Sequence, residues 1–164
     1  KKLIFMGSEF GQWREWNHDE SLDWNLLEFD DHRGLQALMR DLNRTYREQP
    51  VLWENDSDAA SFRFIDADNA DDNVIAFMRS STNGCHLICV CNFSPVVRHA
   101  YRVGVPAAGL YREILNTDSH RYGGGNIGNA GAVMAAPTAH HGLDFSLSLT
   151  LPPLAVLWLE VPRH

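Results

Sequence analysis

The spacing of hydrophobic and polar residues changes twice along the chain, and each change predicts a different kind of element. The chain opens on an unbroken apolar run, Leu3-Ile4-Phe5-Met6, which stops at Gly7. A short apolar run without alternation, bounded by glycine, is typical of a strand buried on both faces, as in a parallel sheet. We therefore predict a buried strand at Leu3–Met6.

Farther along, the apolar residues recur at intervals of three and four. They share one helical face: Leu35, Leu38, Met39, Leu42 and Tyr46. Asp30-Asp31 precedes the pattern, and Gln49-Pro50 ends it because the residue before a proline avoids the helical region. A helix is predicted over about residues 32–48. Its other face is charged and is expected to be solvated: Arg40, Asp41, Arg44, Arg47 and Glu48.

From residue 61 onward the apolar positions alternate, which predicts strands. Asn83-Gly84 is a strong hairpin signal, and Pro152-Pro153 separates the last two strands because proline does not fit a central strand. The predicted strands are Ser61–Asp66, Val74–Arg79, Cys85–Cys91, Arg98–Val103, Leu110–Leu115, Phe145–Leu151 and Ala155–Val161. Short strands joined by turns predict a mainly β fold, an antiparallel β-sandwich. The chain thus divides into residues 1–50, an acidic linker over 51–60, expected to be a solvated turn, and an all-β domain over 61–164.

The segment between the first predicted strand and the helix carries the candidate binding chemistry. Flat indole rings cover the apolar face of a sugar, and planar polar groups reach its hydroxyls. The candidate contacts are Glu9, Trp13, Arg14, Trp16, Asn17, Asp23 and Trp24. A loop that packs its own tryptophans as a plug would have the same composition. Glu9 directly follows the strand, where barrel enzymes keep their chemistry, although a structural hydrogen bond that fixes the loop explains it equally well.

Composition excludes some kinds of binding partner and indicates the cellular compartment of the protein. A formal net charge of -7 without a basic stripe argues against nucleic acid. We expect no membrane partner, because the sequence has no apolar run long enough to span a bilayer. Three closely spaced cysteines do not make a disulfide framework, which fits a reducing cytoplasm. The chain runs from Lys1-Lys2 straight into a predicted strand, so we expect it to be a piece of a longer protein.

Two motifs suggest cofactors, and both are interpreted as structural. Residues 123–128 match a G-x-G-x-x-G pattern, but Gly131 and Pro137 spoil the helix that a dinucleotide site requires. We expect a glycine-rich surface loop within the long segment 119–141. His86 and the cysteines Cys85, Cys89 and Cys91 lie in one predicted strand, whose one-face spacing of about 6.5–7 Å cannot bring three ligands to one zinc ion. No metal site and no cofactor are predicted.

Several longer motifs carry a family resemblance. They are Phe5–Gln12, Glu15–Asn17, Ser21–Trp24, Val90–Pro95, Glu113–Asp118 and Leu147–Leu154. Together they resemble the C-terminal portion of bacterial glycogen branching enzymes, which belong to the alpha-amylase superfamily. The resemblance spans nearly all residues; Ser8 stands where a small or amide residue is expected. It implies that Leu3–Met6 is the eighth strand of a (β/α)8 barrel and that the helix is the last barrel helix.

The resemblance also implies a function. The parent would transfer an alpha-1,4-glucan segment to an alpha-1,6 branch point by a retaining double displacement without cofactor. Its catalytic carboxylates lie on earlier strands, so this chain would close the barrel and contact glucan. Its partners would be alpha-glucan and the missing N-terminal barrel portion, with self-association through Leu3–Met6 as a further expectation. The alternatives are a non-catalytic carbohydrate-binding domain and a purely structural β-domain.

Overall fold

The computed structural model describes residues 3–161, and most of the regular structure lies in the all-β part. A single α-helix is found in this range, α1 (Asp30–Glu48), and it precedes all of the strands. The strands are β1 (Phe62–Asp66), β2 (Val74–Ser80), β3 (His86–Asn92), β4 (Arg98–Val105), β5 (Leu110–Asn116), β6 (Ala132–Met134), β7 (Phe145–Leu151) and β8 (Ala155–Glu160).

Within residues 3–161, the strands form two antiparallel sheets that enclose one core. The larger sheet has the order β1-β2-β3-β8-β5-β6, and the smaller one pairs β4 with β7. Val90 and Leu157 of the larger sheet share the core with Val103 and Leu149 of the smaller sheet, and all four are almost completely buried. Alternate residues of both sheets thus face inward, as the period of two requires. The predicted antiparallel β-sandwich is confirmed.

All the predicted strands of this domain form, with ends shifted by at most two residues. The Asn83-Gly84 signal is confirmed: β2 and β3 pair in a hairpin that brings Ser80 opposite His86, and Gly84 has a φ of 79°. Strand β6 was not predicted, because three residues inside a segment rich in glycine and alanine show no alternation. It pairs with β5 at the edge of the larger sheet.

The glycine-rich segment is ordered around one carboxylate rather than a nucleotide. Asp118 accepts hydrogen bonds from the backbone N–H groups of Gly125 and Ile127, each at 2.9 Å. A Cβ atom on Gly124 would lie 2.2 Å from the Asp118 carbonyl oxygen, so only glycine fits there. No helix follows these glycines among the described residues. The interpretation as a structural loop therefore holds.

The helix predicted for residues 32–48 is confirmed, but its buried face differs from the predicted one. The apolar side chains of Met39 and Leu42 are only half-buried, whereas Asp41 is 2% exposed. The expectation of a solvated charged face is therefore wrong at Asp41. The reason is the loop that follows β5: Tyr122 and Arg121 both bind the Asp41 carboxylate. Gly34 permits this contact, since a Cβ atom there would meet the Tyr122 carbonyl oxygen at 2.4 Å.

The strand predicted at Leu3–Met6 does not form in this structure. Residues 3–6 have no strand pairing, and each of their side chains is more than 40% exposed. A strand needs a hydrogen-bonding neighbour, and no described strand lies beside this segment. The apolar run thus has the composition of a buried strand without the partners that would bury it.

The segment over residues 51–60 packs against the outer face of the larger sheet. Val51 and Leu52 are buried against Leu87 of β3. Asp56 remains exposed, as expected for a solvated acidic turn, and accepts hydrogen bonds from Arg79 at 3.0 Å. Beside this contact an open groove of about 740 Å³ runs between α1 and the sheet. Its apolar lining includes Ile4, Met39, Leu42, Phe62, Phe77 and Trp158.

Candidate functional site

The candidate binding loop, residues 7–29, begins with a tight turn that buries Phe10. Residues Ser8–Phe10 form a 3-10 turn between Gly7 and Gly11, which have φ values of 85° and 69°. These left-handed conformations favour glycine and let the chain reverse at once. Phe10 is fully buried, and the Trp24 ring packs on it with a centroid distance of 5.1 Å. The loop is thereby anchored at both ends of its aromatic stretch.

An arginine clamp closes the middle of the loop. Arg14 donates through Nε and NH2 to the two carboxylate oxygens of Asp23, at 3.1 and 2.5 Å, and through NH1 to Glu20 at 3.1 Å. The hydrogen bond from Arg14 lowers the pKa of the Asp23 carboxyl group, and the Asp23 hydrogen bond raises the pKa of Arg14. Both groups are thus charged and already paired. Their predicted role as direct sugar contacts remains a prediction, and in this structure they order the loop.

Gln12 supports the Arg14–Asp23 ion pair with two further hydrogen bonds. Its Oε1 atom accepts a hydrogen bond from the Asp23 backbone N–H at 2.9 Å, and its Nε2 group donates to the Arg14 carbonyl oxygen at 3.1 Å. The side chain therefore links both ends of the Arg14–Asp23 pair. Sequence reasoning missed this role, because a glutamine after a glycine carries no pattern that identifies its partners.

Trp13 is the most exposed of the candidate residues with an aromatic ring. It is 81% exposed, yet its indole N–H donates to Nε2 of His32 at 3.1 Å. The other ring nitrogen of His32 lies 2.7 Å from the Phe10 carbonyl oxygen. His32 belongs to the first turns of α1 and was not among the predicted residues. Only the fold shows that it lies beside a tryptophan nineteen positions earlier.

The remaining candidates lie on the same loop. Trp16 is partly exposed and meets the edge of Phe5 at a centroid distance of 5.5 Å. Asn17 is exposed, and its Oδ1 atom accepts a hydrogen bond from the Asp19 backbone N–H at 3.1 Å. Glu9 is half-buried in the first turn. The two explanations of Glu9, a glucan contact and a structural hydrogen bond that fixes the loop, both remain predictions.

This arrangement is suited to binding rather than to proton transfer. Trp13, Trp16 and Trp24 present aromatic surface to solvent from one ordered loop, and flat aromatic surface with neighbouring polar groups is what a sugar-binding surface requires. Asp23 is held as a carboxylate by Arg14, so it is a poor proton donor. No cluster of three or more His, Cys, Asp or Glu side chains within residues 3–161 could hold a metal ion.

Two of the three cysteines form a close pair on one face of β3. The sulfur atoms of Cys89 and Cys91 are 3.8 Å apart, closer than the backbone spacing of about 6.5–7 Å between alternate residues of a strand. Their hydrogen bond raises the pKa of the Cys89 thiol, which is also buried, and lowers that of Cys91. Cys85 precedes the strand, and all three thiols are free.

A family model and several known proteins are similar to this chain. Residues 64–162 match the family model described as the alpha amylase, C-terminal all-beta domain. The chain is 52% identical over 98% of its length to a 1,4-alpha-glucan branching enzyme of Pseudomonas fluorescens (strain Pf0-1). It has the same identity over 99% of its length to one of Xanthomonas campestris pv. campestris (strain 8004). In both cases the chain spans 22% of the relative's length.

A solved structure supports the fold alone. It is the catalytic module of SpuA, a multi-modular glycogen-degrading pneumococcal virulence factor, in complex with an inhibitor. The match has a TM-score of 0.56 and 13% identity, and it covers 87% of this chain and 20% of the module. Within residues 3–161, no helix has the length and hydrophobicity needed to cross a bilayer. The family match and the sandwich together show that this chain belongs to the alpha-amylase C-terminal all-beta domain family.

Proposed function

We propose that this chain is the C-terminal portion of a cytoplasmic 1,4-alpha-glucan branching enzyme. The observation that carries the proposal is the 52% identity over 98% of the chain to a protein of that name. That match extends well before residue 64, where the all-beta domain model begins, and so includes the aromatic loop and α1. The longer protein transfers alpha-1,4-glucan segments to alpha-1,6 branch points, and its catalytic carboxylates lie outside this chain.

The barrel end comprises residues 1–50, followed by the linker and the all-β domain from residue 61. Two apolar surfaces support a barrel as the missing neighbour. Leu3–Met6 are exposed, and the side of α1 that carries Met39 and Leu42 opens onto the apolar groove. The N-terminal barrel portion covers both surfaces, and Leu3–Met6 becomes the eighth barrel strand when its neighbours are present.

In the absence of that portion, Leu3–Met6 supports self-association, because an uncovered apolar segment invites pairing with another chain. Sedimentation velocity tests this idea. The chain should form dimers or larger species at high concentration, and Ile4→Lys should abolish them. A monomer at all concentrations would refute the proposal.

The role of this chain toward substrate is to contact alpha-glucan through the loop over residues 7–29. The exposed indole rings of Trp13 and Trp16, set among polar groups, support this role. In the longer protein, Trp13→Ala or Trp16→Ala should reduce transition-state stabilisation with amylose by more than about 1 kcal/mol, read from kcat/KM. Trp53→Ala, outside the loop, is the control. Unchanged kinetics in both loop variants, with intact folding, would refute the glucan contact.

A carbohydrate-binding domain without catalytic role is the second candidate, favoured over a purely structural one by the exposure of Trp13. Affinity electrophoresis in gels that contain glycogen separates the two. Retardation of the 164-residue chain, lost in Trp13→Ala, indicates a binder. Unretarded migration of the chain indicates a structural role, and new branches made only by the longer protein indicate the branching enzyme.

A further inference from the structure

An exposed tryptophan is a good sugar platform only if its ring is held in place. The Trp13 side chain is 81% exposed, so packing from neighbouring residues does little to restrict it. Fixing a mobile side chain on binding costs about 0.5–1.5 kcal/mol, which corresponds to about a two- to tenfold loss of affinity. A ring that is oriented before the ligand arrives avoids this loss. The question is therefore what orients the Trp13 indole.

The hydrogen bonds around His32 supply the answer. The indole N–H of Trp13 can only donate, so Nε2 of His32 must accept at 3.1 Å and carries no proton. In a neutral imidazole the proton is then on Nδ1, which donates to the Phe10 carbonyl oxygen at 2.7 Å. Both contacts are satisfied by one tautomer and by no other. Each ring nitrogen therefore has one defined role.

The groups that hold His32 are themselves fixed in the structure. Phe10 is fully buried, and Gly11 turns the chain immediately after it with a φ of 69°. His32 is also fixed, because it lies in the first turns of α1. The His32 ring lies against the indole with a centroid distance of 5.9 Å. The exposed ring is thus tied through one imidazole to a buried turn and to a helix.

We infer that His32 is a positioning residue that holds the Trp13 indole in the orientation that receives the sugar face of an alpha-glucan. The inference rests on the proposed glucan contact of this loop. His32 acts through Trp13 and touches no ligand itself. Its contribution is the pre-organisation of the platform.

The experiment compares five variants with two readouts, and Trp13→Ala removes the aromatic ring altogether. His32→Leu removes both hydrogen bonds, whereas the amide of His32→Gln can still donate to Phe10 and accept from Trp13. Trp13→Phe keeps an aromatic face but lacks the donor. His99→Leu, at an exposed histidine on β4, is the matched control. The readouts are the ¹⁵N NMR signal of the Trp13 indole N–H in this chain and the affinity of the longer protein for maltohexaose.

We expect His32→Leu to shift the Trp13 indole signal to that of a freely exchanging indole and to weaken maltohexaose binding by about two- to tenfold. His32→Gln should restore both, and His99→Leu should change neither. Trp13→Phe should lose affinity to a similar extent, which keeps the test valid if His32→Leu unfolds. An unchanged indole signal in His32→Leu, or unchanged affinity in Trp13→Phe, would overturn the inference.

The outcomes also separate this inference from the proposed function. If Trp13→Ala leaves the affinity unchanged, the glucan contact itself is refuted, and the positioning role fails with it. If Trp13→Ala weakens binding but His32→Leu and Trp13→Phe do not, the contact stands and only the positioning role of His32 is refuted.

Discussion

At the scale of single residues, Asp41 illustrates how a buried charge can join two parts of a fold. Its carboxylate accepts hydrogen bonds from Tyr122 Oη at 2.8 Å and from Arg121 NH2 at 3.3 Å. It also forms ion pairs with Arg121 Nε at 2.9 Å and with Arg44 at 3.1 Å. Burial, with the Asp41 hydrogen bond as a second cause, raises the pKa of Tyr122 to about 12. The carboxylate thus fastens α1 to the loop that follows β5.

Removal of this charge should destabilise the chain. Asp41→Asn leaves the hydroxyl of Tyr122 and the guanidinium of Arg121 with a weaker acceptor, so we expect a loss of about 1–3 kcal/mol in the free energy of unfolding. Urea denaturation followed by circular dichroism measures this loss. Asp31→Asn, exposed on the same helix, is the control and should change stability by less than about 0.5 kcal/mol. Equal stability of both variants would contradict the stabilising role of the Asp41 carboxylate.

The lowered pKa of a second residue, His141, predicts how the free energy of unfolding depends on pH. Burial, followed by the neighbouring His140, lowers the pKa of His141 below its ordinary value of 6.5, and Asp66 opposes this only in part. Its Nδ1 atom accepts a hydrogen bond from the Gly104 N–H, which requires the unprotonated form of that nitrogen. In the unfolded chain His141 binds a proton at a higher pH than in the folded chain.

The contribution of His141 to stability is therefore complete above pH 6.5 and declines as the pH falls below that value. Urea midpoints between pH 7.5 and pH 5 should decline less steeply for His141→Gln than for the unchanged chain. His86, whose pKa is also lowered by burial, is present in both chains and cancels in the comparison. Parallel pH profiles for the two chains would refute the assignment to His141.

At the scale of elements, periodicity predicted the strands and the helix because their burial is set mainly by local alternation. The helix face could not be predicted in the same way, since Asp41 is buried by residues eighty positions away. The same applies to His32, whose partner Trp13 is brought near by the turn at Gly11. A one-dimensional pattern records which residues are apolar, and tertiary contacts decide which of them find partners.

The exposed apolar side of α1 predicts how a substitution on this helix affects stability. Met39 and Leu42 are half-buried beside the groove, so in this chain each has little burial to lose. Leu42→Gln should cost at most about 1 kcal/mol in the 164-residue chain. The proposed barrel would complete the burial of Leu42, so the cost should be about 2–3 kcal/mol in the longer protein. Thermal unfolding of both proteins measures the difference, and Arg40→Gln is the exposed control. The same cost in both would show that nothing covers this face.

At the scale of the whole molecule, the structure combines the enclosed core of the β-sandwich with an open apolar groove beside α1. The sandwich encloses its own core between two sheets, so the all-β part is internally complete. Residues 3–50 contain an apolar run that has no strand neighbour within residues 3–161, and a helix whose apolar side faces a groove. The aromatic loop over residues 7–29 lies on this second part.

The 164-residue chain alone should therefore lack branching activity. Transfer through a covalent glycosyl intermediate needs a nucleophile and an acid held on either side of one bond, about 5–5.5 Å apart. A displacement of about 1 Å in such groups costs about a hundredfold in rate. Residues 3–29 contain no strand or α-helix to hold two carboxylates at that separation.

Incubation of the purified chain with amylose should give neither new branches nor hydrolysis, as measured by debranching-enzyme digestion and by reducing ends. Addition of the N-terminal portion of the longer protein should restore branching, because in the proposed assembly it supplies the carboxylates together with the strands that bury Leu3–Met6. Ile4→Asp in this chain should impair that reassembly, whereas Arg63→Gln, on the exposed edge strand β1, should not. Turnover by the chain alone that disappears in Glu9→Gln would instead make Glu9 catalytic and would overturn the assignment of the catalytic carboxylates to the rest of the protein.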